Sequence, residues 1–151
     1  MRSRSHIFLL RDGKILVLRQ ANGVWWEQPG GEPKTGETPA AAAIRETMEE
    51  TGLAITEPEL LRCWTYRNRN REEVRCFAYA ARAPDGDVRL SEEHRAYEWM
   101  TAASYAARYC SEAVEALAPE WARIFLTEMR LNCVLSAKWS TNRSADQAAE
   151  R

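Results

Sequence analysis

Gly30 to Leu53, GGEPKTGETPAAAAIRETMEETGL, joins a double-glycine turn to a short helix whose carboxylates recur at fixed spacings. Thr38 is the expected N-cap and Pro39 the first helical residue, because Pro has no N–H to lose there and its φ suits a helix start. Gly52 is the expected stop. The helix is therefore predicted over Pro39 to about Thr51. At about 100° per residue, Glu46, Glu49 and Glu50 share one arc, while Ala40, Ala41, Ile44, Met48 and Thr51 gather on the opposite side, the face expected to meet the core. Acids three and four positions apart lie about 5–6 Å from each other at Cβ, and each like-charged pair costs roughly a few tenths of a kcal/mol. A divalent cation would turn that cost into binding energy. Oxygen ligands without His or Cys suit a hard ion, Mg2+ or Mn2+, which keeps several waters and accepts phosphate oxygens. An acidic helix face is also an ordinary solvated surface, and the acids alone do not separate the two readings.

The spacing does. Gly31, Glu37, Arg45, Glu46, Glu49, Glu50 and Gly52 follow the order Gly, five residues, Glu, seven residues, Arg-Glu, two residues, Glu-Glu, one residue, Gly. At residue frequencies of about 1 in 15, such a set arises by chance about once in 10^8 starting points. It resembles, position for position, the box of the Nudix hydrolases. The lead-in Trp25-Trp26-Glu27-Gln28-Pro29-Gly30-Gly31 is similar to the aromatic followed by Pro-Gly-Gly that usually precedes that box. The likeness covers residues 25 to 53, with looser similarity in strand pattern from about 5 to 100. Thr47 departs from the bulky aliphatic residue usual after Arg-Glu, and Leu53 keeps the other aliphatic position.

The resemblance implies a chemistry and a set of residues. A divalent ion, Mg2+ or Mn2+, would be held by Glu46, Glu49, Glu50 and the backbone carbonyl of Gly30, and water would attack phosphorus in a diphosphate linkage. Glu46 is the first candidate for the base that takes the proton from that water. Family members often supply one more acid from a loop before the last strand, and Ser91-Glu92-Glu93-His94 occupies that place, with Glu93 preferred over Glu92. His94 is read either as a phosphate contact or as an exposed loop residue. Arg45 is counted with the catalytic set in a supporting role, tying Glu37 and the loop to the helix through a bidentate pair. Gly30 and Gly31 are expected to let the backbone turn sharply and approach the ion.

The rest of the chain fits around this unit. It has 151 residues, 45% hydrophobic and 28% charged, a size and balance expected of one domain with a real core. Apolar runs at Ser5 to Leu10 and Lys14 to Arg19 flank Asp12-Gly13 and predict a hairpin; Leu60 to Arg67 and Glu73 to Ala80 predict a second. Ala83 to Asp87 reads as a loop, Tyr97 to Met100 as a strand, and helices are expected from Thr101 and over about Ser111 to Leu131. This order suits an α/β (α+β) fold, the Nudix-type α/β/α sandwich with a central mixed sheet. The domain is expected over 1–136 and a polar tail over 137–151. Cys63, Cys76, Cys110 and Cys133 form no C-x-x-C pair and read as reduced, mostly buried thiols. No run of about 18 apolar residues exists, and Ile7 to Leu10 is too short for a secretory segment, so a cytoplasmic protein without a membrane role is expected. With 21 basic and 22 acidic side chains the net charge is −1, which gives no field for long nucleic acids. The expected partner is a small nucleotide, and a homodimer is compatible with the sequence.

Substrate specificity is less legible. Trp25, Trp26, Trp64 and Tyr66 are candidates to stack on a base, against the plainer reading of core aromatics. Arg67, Arg69 and Arg71 alternate so that three guanidinium groups would face one side, either steering polyphosphate or keeping a hairpin tip soluble. The resemblance separates subgroups by a Pro about fifteen residues past the box, for ADP-ribose, or a Tyr slightly further, for dinucleoside polyphosphates. Asn68 holds the first place and Tyr66 falls too early for the second, so neither subgroup is supported, and a chain of this size is equally compatible with nucleoside triphosphates, oxidised ones included, or nucleotide sugars. The function implied is hydrolysis of a nucleoside diphosphate linked to another group. The alternative is a catalytically silent nucleotide-sensing or interaction module on the same fold, which would be expected to have lost a box Glu; none is lost here.

Overall fold

Asp12 and Gly13 both adopt positive φ, 51° and 74°, as a tight Asp-Gly hairpin turn requires, and fold β1 (Arg2–Arg11) back toward β2 (Lys14–Gln20). The structure, a computed structural model, describes residues 1–23, 26–68, 70–101 and 104. β1 and β2 pair only beside the turn, at Leu10↔Ile15 and Arg11↔Lys14. Beyond it β2 is joined by β3 (Trp26–Glu27), and β1 by β4 (Gly30–Gly31). On its other side β1 runs parallel to β6 (Glu73–Arg82), which pairs antiparallel with β5 (Glu59–Arg67); β7 (His94–Met100) runs antiparallel along β2. The result is α+β with a central mixed sheet, as the sequence predicts, and all of it lies within one unit, Met1–Met100. The helices expected from Thr101 and over Ser111 to Leu131, and the tail 137–151, lie outside the described residues. Among the described residues no helix is long and apolar enough to cross a membrane.

The helix α1 spans Pro39–Thr51 with the expected ends. Thr38 Oγ1 accepts from Ala41 N at 3.1 Å, and Gly52, at φ 73°, donates its N–H to the Met48 carbonyl at 2.9 Å. Its buried stripe differs from the one predicted. Ala43, Thr47, Glu50 and Thr51, at i, i+4, i+7 and i+8, face inward with Ala42, whereas Ala41 and Met48 are exposed. The stripe is rotated toward the acids because the helix leans on the Gly-Gly strand as well as on the sheet. Thr47 resolves its own departure from pattern: it is fully buried and its hydroxyl donates to the Ala43 carbonyl at 2.7 Å. Ala43 packs with Ile7, Leu9, Leu16, Leu18, Leu53 and Ile55. Each large aliphatic side chain so buried contributes about 1.5–3 kcal/mol, and this layer fixes the helix over β1.

Three further expectations change. β5 ends at Arg67, and Asn68 then builds a turn in which its Oδ1 accepts from Glu72 N at 2.9 Å while Arg71 sits at φ 60°. The predicted Arg67-Arg69-Arg71 alternation is therefore broken by the turn; Arg67 pairs across the hairpin with Glu73 at 3.6 Å, and Arg69 lies outside the described residues. Tyr66 is buried in the hairpin and so unsuited to stacking on a base, while Trp26 and Trp64 are half-buried and Trp25 lies outside the described residues. Of the cysteines, Cys76 is buried, with its thiol pushed up to about 12 chiefly by burial, but Cys63 is exposed because it lies on the edge strand; Cys110 and Cys133 lie outside the described residues.

Candidate active site

The two glycines bring the helix and β1 into contact with the turn between them. A Cβ on Gly30, whose φ is 157°, would collide with the Ser5 carbonyl and come within 2.9 Å of the His6 Cα, both fixed backbone of β1. A Cβ on Gly31 would lie 2.5 Å from Glu46 Oε1. The close approaches that demand glycine are thus to β1 and to the Glu46 side chain. Beneath the turn His6 is wholly buried, and burial lowers its imidazole to about 3, with Arg4 adding to the shift.

Glu50 is the central side chain. It is only 5% exposed, and its Oε2 accepts the Gly30 N–H at 3.0 Å. Burial raises its carboxyl to about 9; the Gly30 N–H opposes that shift, and the charges of Glu27, Glu46 and Glu93 add to it. Four carboxylates from three separate segments, residues 27, 46 with 50, and 93, therefore share one electrostatic neighbourhood. A buried acid within electrostatic reach of three others has chemistry that suits a hard divalent cation, since such an ion would offset both the desolvation cost and the repulsion.

Arg45 organises the outer part of the cluster. Its Nε and Nη2 donate to the two oxygens of Glu37, each at 2.9 Å, Nη1 donates to Glu46 Oε1 at 2.7 Å and to Glu49 Oε2 at 3.0 Å, and Nη2 reaches the Glu32 carbonyl at 3.2 Å. Glu37 also accepts the Lys34 N–H at 2.8 Å, and the guanidinium chiefly holds its carboxyl down at about 2. Arg45 is raised above its usual value, first by Glu37. With Arg45 drawing in Glu46 and Glu49 and Gly30 holding Glu50, no three carboxylates among the described residues converge closely enough to enclose an ion.

Glu93 arrives from the loop before β7. Arg89 N donates to the Thr51 carbonyl at 2.8 Å and Ser91 N to the Glu50 carbonyl at 3.3 Å, so the loop is fastened along the helix end. Glu92 is exposed and takes no part in the described hydrogen bonds. His94 is buried, not the exposed loop residue of one reading, and its Nε2 lies 3.3 Å from Glu27 Oε1. Glu27 was not singled out from the sequence, although its place as the one carboxylate between Trp26 and the Gly-Gly turn was its available signal.

Sheet, turn and acidic helix together define an α+β domain organised around a loop and helix that gather carboxylates. The chain belongs to the NUDIX family: the NUDIX domain profile matches residues 1–120. A MutT-like protein of Streptomyces ambofaciens is 34% identical over 95 residues, covering 63% of this chain and 60% of that protein. The asymmetrical bis(5'-nucleosyl)-tetraphosphatase of Rattus norvegicus is 32% identical over 93 residues, 58% of this chain and 63% of that protein. The crystal structure of a MutT NUDIX hydrolase from Burkholderia pseudomallei aligns with a TM-score of 0.61 at 28% identity, covering 68% of this chain and 84% of that one. The chain spans about 60% of the length of the first curated relatives it matches.

Proposed function

We propose that this protein is a metal-dependent hydrolase that cleaves the diphosphate linkage of a nucleoside diphosphate joined to another group, by attack of water on phosphorus. The observation that carries the reading is Glu50: a carboxyl buried in the fold, anchored on the Gly30 N–H and within electrostatic reach of Glu27, Glu46 and Glu93, carries a burial cost that a bound divalent cation would offset. Glu46, Glu49, Glu50 and the Gly30 carbonyl are the residues that would hold Mg2+ or Mn2+, which when bound neutralises charge on the bridging phosphate oxygens and makes a water more acidic. Glu46 or Glu93 takes the proton from the attacking water, Glu46 from the helix and Glu93 from the β7 loop. Arg45 keeps Glu37 and the turn fastened to the helix, so that Gly30 and Glu50 stay in register. We read the substrate as a nucleoside triphosphate, a nucleotide sugar or a dinucleoside polyphosphate, the last in line with the name of the rat relative.

The test is turnover of a panel of these nucleotides with Mg2+ in water enriched in 18O. The reading predicts cleavage of one class with a single 18O on a phosphate product. Tight, metal-dependent nucleotide binding without turnover across the panel would instead mark a sensing module.

A further inference from the structure

Glu27 and His94 stand outside the Gly30–Leu53 segment, and their contact joins three strands at one carboxylate. His94 Nε2 lies 3.3 Å from Glu27 Oε1, and the same oxygen accepts Gln20 Nε2 at 3.0 Å. The His94 side chain is 2% exposed and that of Glu27 13%. His94 Nδ1 is buried without a hydrogen-bond partner, which suits the tautomer that carries its proton on Nε2 and donates it to Glu27. The contact coincides with an irregularity in the sheet. Along β2, Arg19 faces Ala96 but Gln20 faces His94, so that Arg95 is passed over in a bulge. A bulge re-aims the residues beside it and leaves the ladder locally incomplete, and the Glu27–His94 contact lies across that gap at the start of the strand. Just before the bulge, the Glu93 carbonyl accepts the Ala21 N–H at 2.8 Å.

We propose that Glu27 and His94 are positioning residues whose hydrogen bond anchors the β7 bulge and thereby holds the Glu93 carboxylate at the Glu50 end of the site. The proposal rests on the hydrolase reading and on Glu93 belonging to its machinery. Neither residue needs to touch substrate: Glu27 fixes His94, His94 fixes the bulge, and the adjacent peptide carries Glu93. A pair that merely satisfied two buried polar groups would stabilise the fold but would show no dependence on Glu93.

That difference sets the experiment, a double-mutant cycle on the full chain with dGTP and diadenosine tetraphosphate as probes in Mg2+. His94→Phe is expected to lower kcat about 10- to 100-fold, in the range typical of residues that orient a site from behind, with KM within about threefold. His94→Gln, whose amide nitrogen reaches the Nε2 position, is expected to restore most of the loss. Once Glu93 is replaced by Gln, His94→Phe should cost nothing further. Equal losses in both backgrounds, or an unchanged kcat in His94→Phe, would overturn the proposal. Amide hydrogen exchange of the metal-free protein gives a readout without turnover: the Ala21 amide should exchange faster in His94→Phe and Glu27→Ala while the Gly30 amide keeps its rate. An unchanged Ala21 rate overturns the anchoring. If His94→Phe does not fold, Glu27→Ala takes its place in the cycle. No turnover of either probe or of any panel nucleotide by the wild-type protein contradicts the hydrolase reading instead, and the exchange rates then decide the anchoring by themselves.

Discussion

Replacing Glu50 with Gln should stabilise the metal-free protein even though it removes a group central to the site. Folding raises this carboxyl from an ordinary value of 4.5 to about 9, chiefly by burial. Between those values the folded chain holds a proton that the unfolded chain releases, so stability is fully present below about pH 4.5 and falls as pH rises toward 9. Each pH unit is worth about 1.4 kcal/mol, which at about pH 7.5 gives a ceiling near 4 kcal/mol; relaxation of the protein and water penetration around the buried carboxyl reduce this to about 2. Gln is uncharged and its amide oxygen can still accept the Gly30 N–H. The expected outcome is a variant more stable than wild type by about 2 kcal/mol at about pH 7.5, or about 4–8 °C in Tm for a chain of this size. At about pH 4.5 the advantage should vanish. Thermal unfolding followed by circular dichroism in EDTA at several pH values measures it. Addition of Mn2+ should raise the Tm of the wild type but not of Glu50→Gln. A variant less stable than wild type at about pH 7.5, or a difference independent of pH, would refute the reasoning.

Other perturbations report on neighbouring parts of the site. Arg45→Met leaves Glu37, Glu46 and Glu49 without their shared donor and should lower stability by about 2–3 kcal/mol in urea unfolding, and Arg45→Lys should recover less than half, because an ammonium cannot span both oxygens of Glu37. Gly30→Ala should cost about 3 kcal/mol or more, since its Cβ meets fixed backbone of β1, and Gly31→Ala should cost less stability but shift Glu46, seen as a weaker Mn2+ affinity by calorimetry. The Glu37 carboxyl lies at about 2, so its contribution is present above its ordinary 4.5 and is lost as pH falls from there toward 2; acid unfolding of Glu37→Gln should accordingly lack that part of the wild-type slope.

Much of this arrangement is legible in the chain. Local signals with short reach, such as the Thr38 cap, Pro39, Gly52 and the Asp12-Gly13 turn, mark the helix ends and the first hairpin because each acts on backbone within a few residues. The spacing of Gly31, Glu37, Arg45 and the helix acids indicated which residues would meet, and the Arg45–Glu37 pair is found as read. What stayed hidden depends on contacts between distant segments. Periodicity gives the relative angle of Glu46, Glu49 and Glu50 but not which of them turns inward, and the burial of Glu50 follows from β4 lying against β1, two residues too few to show any pattern. His94 reads as a loop residue until a bulge in β7 brings it to Glu27, 67 positions away. The Arg67 to Arg71 alternation failed because Asn68 forms a turn that a strand period does not anticipate.

Catalysis through a metal held on Glu50 is tested by the initial rate of dGTP hydrolysis, measured across Mn2+ concentration for the wild-type protein and Glu50→Gln. The expected result is saturable, Mn2+-dependent turnover by the wild type, abolished by EDTA, and a loss of at least about 10^3-fold in the variant, equivalent to about 4 kcal/mol of transition-state stabilisation. Equal Mn2+-dependent rates in the two proteins, or wild-type turnover that persists in EDTA, would contradict it.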